Sequence, residues 1–445
     1  MKKLSKKTNI IIFFISLLVI IAFLVIFLII FKNPQNPNPD EQPQEYTLQE
    51  VQGVDEKNLS NISRWQEVPI VSEEILSKGY LGGEGGQWPL CIAGDNDDSQ
   101  IIFYGTDVGG IFKSTNGGQT FYKSNIGLFS NGICDIQVDP NNKNKVVCFG
   151  VNGGRISYTT GIYISDDCGE SWEFTQHFPI YGHRNTIEDL AYDPTSYSSS
   201  INGSSILYLS LIEKYDSSQS VLTDDNKGLY KSCDGGNTWQ RINSELGDCL
   251  VKVDSRGRVF CGNYNGLFIS TNKGESFDKI LDENITGLDV IDDTLYILSN
   301  SQPNTYAKIY TYKNSLNFVN SLVGGSQDDP NGGNTHLISE DWQWHYIKGG
   351  MDEKYLYHFS PDAHKVYNLK VSPVNPNNMV LVYTNTLYYE NASNTVLYSK
   401  DGGKTFYITL PNKLKTGDNA DYHMLPYANR RMNFYWSKTN ENIVF

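Results

Sequence analysis

One aspartate in this chain stands where a carboxylate could do chemistry. Asp107 lies in Gly105-Thr-Asp-Val-Gly-Gly110, directly after the apolar run Ile101-Ile-Phe-Tyr104. Glycines on both sides let the backbone turn sharply, presenting a carboxylate at a strand end and letting a polymer come close. The plain reading is an aspartate that bonds its own turn, as short polar side chains do. Candidate binding groups are aromatic. Trp88 sits in the glycine-rich stretch Leu81-Gly-Gly-Glu-Gly-Gly-Gln-Trp88. Trp342, Trp344 and Tyr346 alternate in Trp-Gln-Trp-His-Tyr, within a segment from Gly324 to His364 that reads as an insertion. Exposed rings stack on sugars, but alternating aromatics equally describe a buried hairpin. His183-Arg184 falls on a connection, where functional residues concentrate, although a turn-stabilising pair is the simpler account. No Cys/His spacing suits a metal, and nothing calls for a cofactor.

These residues are held by a repeat. Ser-x-(Asp/Asn)-x-Gly-x-(Thr/Ser)-(Trp/Phe) occurs at Ser114–Phe121, Ser165–Trp172, Ser232–Trp239, Ser270–Phe277 and Ser399–Phe406. The first four octets follow a Gly-(Ile/Leu)-(Tyr/Phe)-x-Ser strand, and the fifth follows the apolar run Val396-Leu-Tyr398. The third position can accept backbone N–H bonds, the glycine supplies the turn, and the final aromatic packs between sheets. Asn116 and Asn272 replace the aspartate in two copies. A neutral amide accepts the same bonds but cannot serve as a base, so the octets read as structural turns.

Units of about 35 to 50 residues with four short strands imply an all-β propeller. Six units can be counted, beginning near Pro89, Ile133, Ile187, Cys249, Ile285 and Val366. The fifth, Ile285 to about Leu322, lacks its octet. Asn433–Trp436 and Asn442–Phe445 supply two strands of a seventh blade. Pairing Arg64–Ile70 with them would close a seven-bladed ring over 63–445 and cover open sheet edges; the alternative is a chain that stops inside a blade.

The chain has 445 residues, 39% hydrophobic and 13% aromatic, which suits a large all-β body. Ahead of the repeats, Lys2, Lys3, Lys6 and Lys7 precede Ile10–Phe31, whose only polar residue is Ser16. That run is long enough to span a bilayer core of about 30 Å, and the preceding lysines place the N-terminus in the cytoplasm. The expectation is a signal anchor within 1–32, a Pro/Asn-rich tether over 33–62, and a propeller outside the cytoplasm at the cell membrane. Beyond Lys32 there are 31 basic against 50 acidic residues, a net charge of −19, which argues against a nucleic-acid partner. Seven cysteines are present; Cys134/Cys148 and Cys249/Cys261 fall on adjacent strands, as cross-strand bridges or as small buried hydrophobes.

The octets match the Asp-box, or BNR repeat, of sialidases, sortilin-like receptors and several glycoside hydrolases. The glycine-rich loop before the first blade, together with Thr-Asp-Val-Gly-Gly, resembles the N-terminal propeller of glycoside hydrolase family 74, the xyloglucan-cleaving endoglucanases. The likeness is specific over Leu81–Phe121 and looser to Thr409. It implies that Asp107 is one of two catalytic aspartates, framed by Thr106, Gly109 and Gly110. Inverting hydrolysis needs two carboxyl groups roughly 6.5–9.5 Å apart, and in that family the second comes from a second propeller. No second Asp-(Val/Ile/Leu)-Gly-Gly is present. Asp135, Asp189 and Asp341 are substitutes without distinguishing context, and a partner chain could complete the cleft. Three readings follow: a membrane-anchored β-glucan or xyloglucan hydrolase, a non-catalytic glycan- or protein-binding propeller, and a sialidase. The last is disfavoured, because Arg64-Trp-Gln-Glu is not the Phe/Tyr-Arg-Ile-Pro motif that sialidases carry.

Overall fold

The computed structural model describes residues 49–50, 66–67, 89–95, 100–151, 155–156, 158–179, 181–182, 187–212, 226–299, 308–313, 342–346, 364–385, 393–403, 407–410, 414–416, 420–422 and 433–445. They form an all-β propeller of six antiparallel four-stranded blades, with no helix among them. Blade 1 comprises Pro89–Gly94, Ile102–Thr106, Ile111–Ser114 and Tyr122–Lys123. Blade 2 comprises Gly132–Asp139, Asn142–Val151, Gly161–Ser165 and Glu173–His177. The other blades begin with Ile187–Tyr192, Leu250–Val253, Ile285–Ile291 and His364–Val371. Each first strand packs beside the first strand of the next blade.

Strand faces are buried on both sides because each blade is covered by two neighbours. The second strands of blades 1, 3 and 4 are buried throughout. The core is therefore a set of inter-blade layers. Phe103 and Ile111 meet Ile136 and Tyr163 between blades 1 and 2, Phe149 and Ile162 meet Leu190 and Leu209 between blades 2 and 3, and Leu298 and Ile309 meet Leu369 and Leu381 between blades 5 and 6.

All five octets adopt one turn. The serine hydroxyl donates to the Asp or Asn two residues on, at 2.7–2.9 Å, and accepts the N–H of the glycine four residues on, at 2.7–2.9 Å. Where the seventh residue of the octet is described, its Thr or Ser N–H donates back to the Asp or Asn. In blade 2 the terminal aromatic, Trp172, is 5% exposed and its indole N–H donates to Ser124 O at 2.8 Å, clamping blade 2 to blade 1.

Three expectations change. The described residues form six four-stranded blades, not seven. The C-terminal residues form a single bridge, Trp436 to Val444, rather than two full strands. They nevertheless sit between the last blade and the first. Phe434 and Trp436 pack on Val380, Val382 and Val396 of blade 6, Asn433 reaches Leu90 O, and the Tyr435 hydroxyl donates to Asp95 O at 2.8 Å. Gln66–Glu67 pairs with Gln49–Glu50, so it does not close the ring with this segment. Third, Trp342–Tyr346 is no insertion but the outer strand of blade 5, paired with Lys308–Tyr312. The cysteines are thiols, and the supposed partners are offset by two residues: Ile136 faces Cys148 and Val251 faces Cys261. Ile10–Phe31 lies outside the described residues, among which no helix is long and apolar enough to cross a membrane.

Candidate functional site

Asp107 occupies the turn between the second and third strands of blade 1, which other groups hold rigid. Thr106 Oγ1 accepts the Gly109 N–H at 2.8 Å, while the Thr106 N–H donates to Gly110 O at 3.0 Å. Gly110 adopts φ +78°, where a side chain would be strained and would collide with Asn125. Asn125 Oδ1 accepts the Ile111 N–H at 2.8 Å, its Nδ2 donates to Gly109 O at 3.0 Å, and the Gly110 N–H donates to Asn131 O at 2.7 Å. Thr106, Gly109 and Gly110 thus have a local physical role in this turn. Asp107 itself is half-buried, with one carboxylate oxygen shielded from solvent.

The chain from Ser124 to Gly132 links this turn to blade 2. Ser130 Oγ donates to Thr159 O at 2.7 Å, and the Tyr163 hydroxyl donates to the same oxygen at 2.8 Å. Phe129 and Tyr158 therefore lie on adjoining backbone, and both are open to solvent, 66% and 90% exposed. Val108, next to Asp107, is 42% exposed. Tyr158 leans against His177, ring centroids 6.1 Å apart. The result is a carboxylate with an aliphatic and two aromatic side chains along the rim of blades 1 and 2. Sequence inspection missed Phe129 and Tyr158, although an aromatic inside a polar turn, as in Ser-Tyr158-Thr-Thr-Gly, was the available signal.

Of the other sequence candidates, none of the described ones joins this rim. Trp88, His183, Arg184 and Asp341 lie outside the described residues. Trp342, Trp344 and Tyr346 belong to the outer strand of blade 5. Asp135 and Asp189 are on the innermost strands of blades 2 and 3 and line the central channel, a cavity of about 920 Å³ bounded by the first strand of every blade. There they stitch blades together. Asp135 Oδ2 accepts the Leu190 N–H at 2.8 Å, Asp189 Oδ2 the Val251 N–H at 3.2 Å, and, two blades on, Asp289 Oδ2 the Val371 N–H at 2.8 Å. Asp189 also pairs with Lys252, and Asp289 with Lys370 at 2.8 Å. Burial, then the neighbouring Asp189, pushes the Asp135 carboxyl up to about 7, against Lys252 and the Leu190 and Ile136 N–H groups. Burial, then Lys370, lowers Lys438 to about 8, against Asp289 and Asp292. Among the described residues no three His, Cys, Asp or Glu side chains are placed to hold a metal ion.

No protein-family model matches the sequence, and no curated protein matches it. Solved structures do share the fold. The GH74 xyloglucanase from Xanthomonas campestris superimposes with a TM-score of 0.55 at 16% identity, covering 81% of this chain and 50% of that one. The Niastella koreensis GH74 enzyme gives 0.50 at 18% identity, covering 73% of this chain and 45% of the other. The chain thus spans about half the length of these enzymes, and what it shares with them is a GH74-like propeller fold.

Proposed function

We propose that this chain is an exported, membrane-anchored propeller that engages a β-glucan or xyloglucan-type polysaccharide along the rim of blades 1 and 2. The observation that carries this reading is the placement of Asp107 on a braced turn beside the exposed Val108, Phe129 and Tyr158, on a fold shared with xyloglucanases. Aromatic faces stack on the apolar faces of sugar rings, and a neighbouring carboxylate accepts hydroxyl hydrogen bonds. In a hydrolase of this type Asp107 would serve as acid or base, with the second carboxyl contributed from outside the described rim, by a partner chain or a further propeller.

A second reading, a non-catalytic glycan-binding propeller, is favoured by one observation. Asp135 and Asp189, the described aspartates considered as partners for Asp107, are committed to blade-to-blade hydrogen bonds in the channel. The two readings separate in one experiment on the full-length protein. Release of reducing ends from xyloglucan and mixed-linkage glucan, abolished by Asp107→Asn, supports the hydrolase. Binding of those polymers without release, weakened by Tyr158→Ala, supports the binding module. Neither release nor binding overturns both.

A further inference from the structure

Lys252, Lys370 and Lys438 all line the central channel, but they are not equivalent. Lys252 is paired with Asp189, and Lys370 with Asp289 at 2.8 Å. Lys438 is half-buried and forms no ion pair among the described residues. It sits on the turn of the C-terminal segment, two residues after Trp436. Ser437 fixes that turn, its hydroxyl accepting the Thr439 N–H at 3.3 Å and the Asn440 N–H at 3.1 Å. Asp292 and Pro373, just beyond the first strands of blades 5 and 6, line the same cavity. Burial, then the Lys370 ammonium, favours the neutral amine of Lys438, against Asp289 and Asp292. A lysine desolvated beside another cation is the kind that attacks carbonyl carbon. The surroundings also select among carbonyl compounds. Asp135, Asp189, Asp248, Asp289 and Asp292 face the cavity against three lysines, so its field repels anions.

We propose that Lys438 is a covalent site in the channel, forming a Schiff base with a small aldehyde that carries no negative charge. The neutral Nζ adds to the carbonyl carbon, making a C–N bond, and the carbonyl oxygen takes up a proton. That oxygen then leaves as water while the nitrogen lone pair closes the C=N bond. In sum, one ammonium and one aldehyde give one protonated imine and one water, with no change of charge or oxidation state. The cationic imine lies in the field of Asp289 and Asp292, which favours it. This proposal does not rest on the rim reading, and its test keeps the two apart.

The test is brief reductive trapping of the full-length protein with propanal and cyanoborohydride near neutral pH, read by peptide mapping. Lys438 is expected to take the propyl group about tenfold or more faster than the exposed Lys123. That lead should vanish in urea, where both lysines meet water, and in Lys438→Arg no other channel lysine should take its place. With glyoxylate, an anionic aldehyde, the ratio of Lys438 to Lys123 labelling should fall about fivefold or more. Phe129→Ala and Tyr158→Ala should leave the ratio unchanged. The wild-type ratio carries the test even where a variant fails to fold. Labelling of Lys438 no faster than Lys123, preferential labelling of Lys252 or Lys370, or an equal ratio with glyoxylate would each overturn the proposal.

Discussion

Asp234 and Asn272 do the same work with different chemistry. Each accepts a hydrogen bond from the serine two residues back and from an N–H four residues on. Where aspartate bonds the hydroxyl of the residue four on as a receiver, asparagine turns its amide to donate instead, from Asn272 Nδ2 to Ser276 Oγ at 2.9 Å. Partial burial works against ionisation of Asp234, yet the hydrogen bonds from Thr238 and Ser232 outweigh it and hold the carboxyl below its usual range. Asp234→Asn is therefore expected to change unfolding stability by no more than about 0.5 kcal/mol, whereas Asp234→Ala, which leaves the Thr238 N–H without its acceptor, should cost about 1–2 kcal/mol. Urea midpoints at neutral pH check both; an equal cost for the two changes would refute the shared geometry. This much was legible in the sequence, because alternation of Asp with Asn at one position is what a hydrogen-bond acceptor tolerates and a catalytic base does not. Phe129 and Tyr158 were not legible, since an exposed aromatic gains meaning only when another connection is seen to run beside it.

At the scale of elements, the first strands act as a ladder whose rungs are carboxylates. Asp135 binds its proton more tightly in the folded chain than an unfolded aspartate would, so its contribution to stability is greatest below the ordinary carboxylate range. That contribution is lost as pH rises towards about 7. Wild type should lose stability relative to Asp135→Asn between about pH 4 and 7, at no more than about 1.4 kcal/mol per pH unit. Denaturant midpoints of the two proteins across that interval test this, and a pH-independent difference would contradict it. Removal of Asp289, in contrast, strands the Val371 N–H and the Lys370 ammonium together. Asp289→Ala should cost about 3–5 kcal/mol, the usual consequence of breaking a buried pair on one side. Five of the six described blades were marked in the sequence by their octets, but the expected seventh blade is not among the described strands, and the outer strand of blade 5 was not legible. It pairs with Lys308–Tyr312 across a long separation in sequence, and strand pairing of that kind leaves no local mark.

The molecule as a whole closes through its C-terminal segment. Phe434, Tyr435 and Trp436 are buried against blade 6 and blade 1, Trp436 being 2% exposed and stacked near Tyr398 with centroids 6.3 Å apart. Phe445 lies over Gly118 in the first octet, where a side chain on that glycine would meet its ring. Trp436→Ala should cost about 3–5 kcal/mol, as for a large aromatic removed from a packed layer, with the unfolding midpoint as the measurement. Closure was expected from the sequence with the wrong partner, because Arg64–Ile70 carries a strand-like pattern that does not say which edge it joins. The central claim is that the rim of blades 1 and 2, with Asp107 at its head, engages a β-glucan. Affinity electrophoresis of the full-length protein in xyloglucan-containing gels tests it most directly. The account predicts retardation that is lost on combining Phe129→Ala with Tyr158→Ala. Mobility unaffected by the polysaccharide, or retardation that survives the double change, would contradict it.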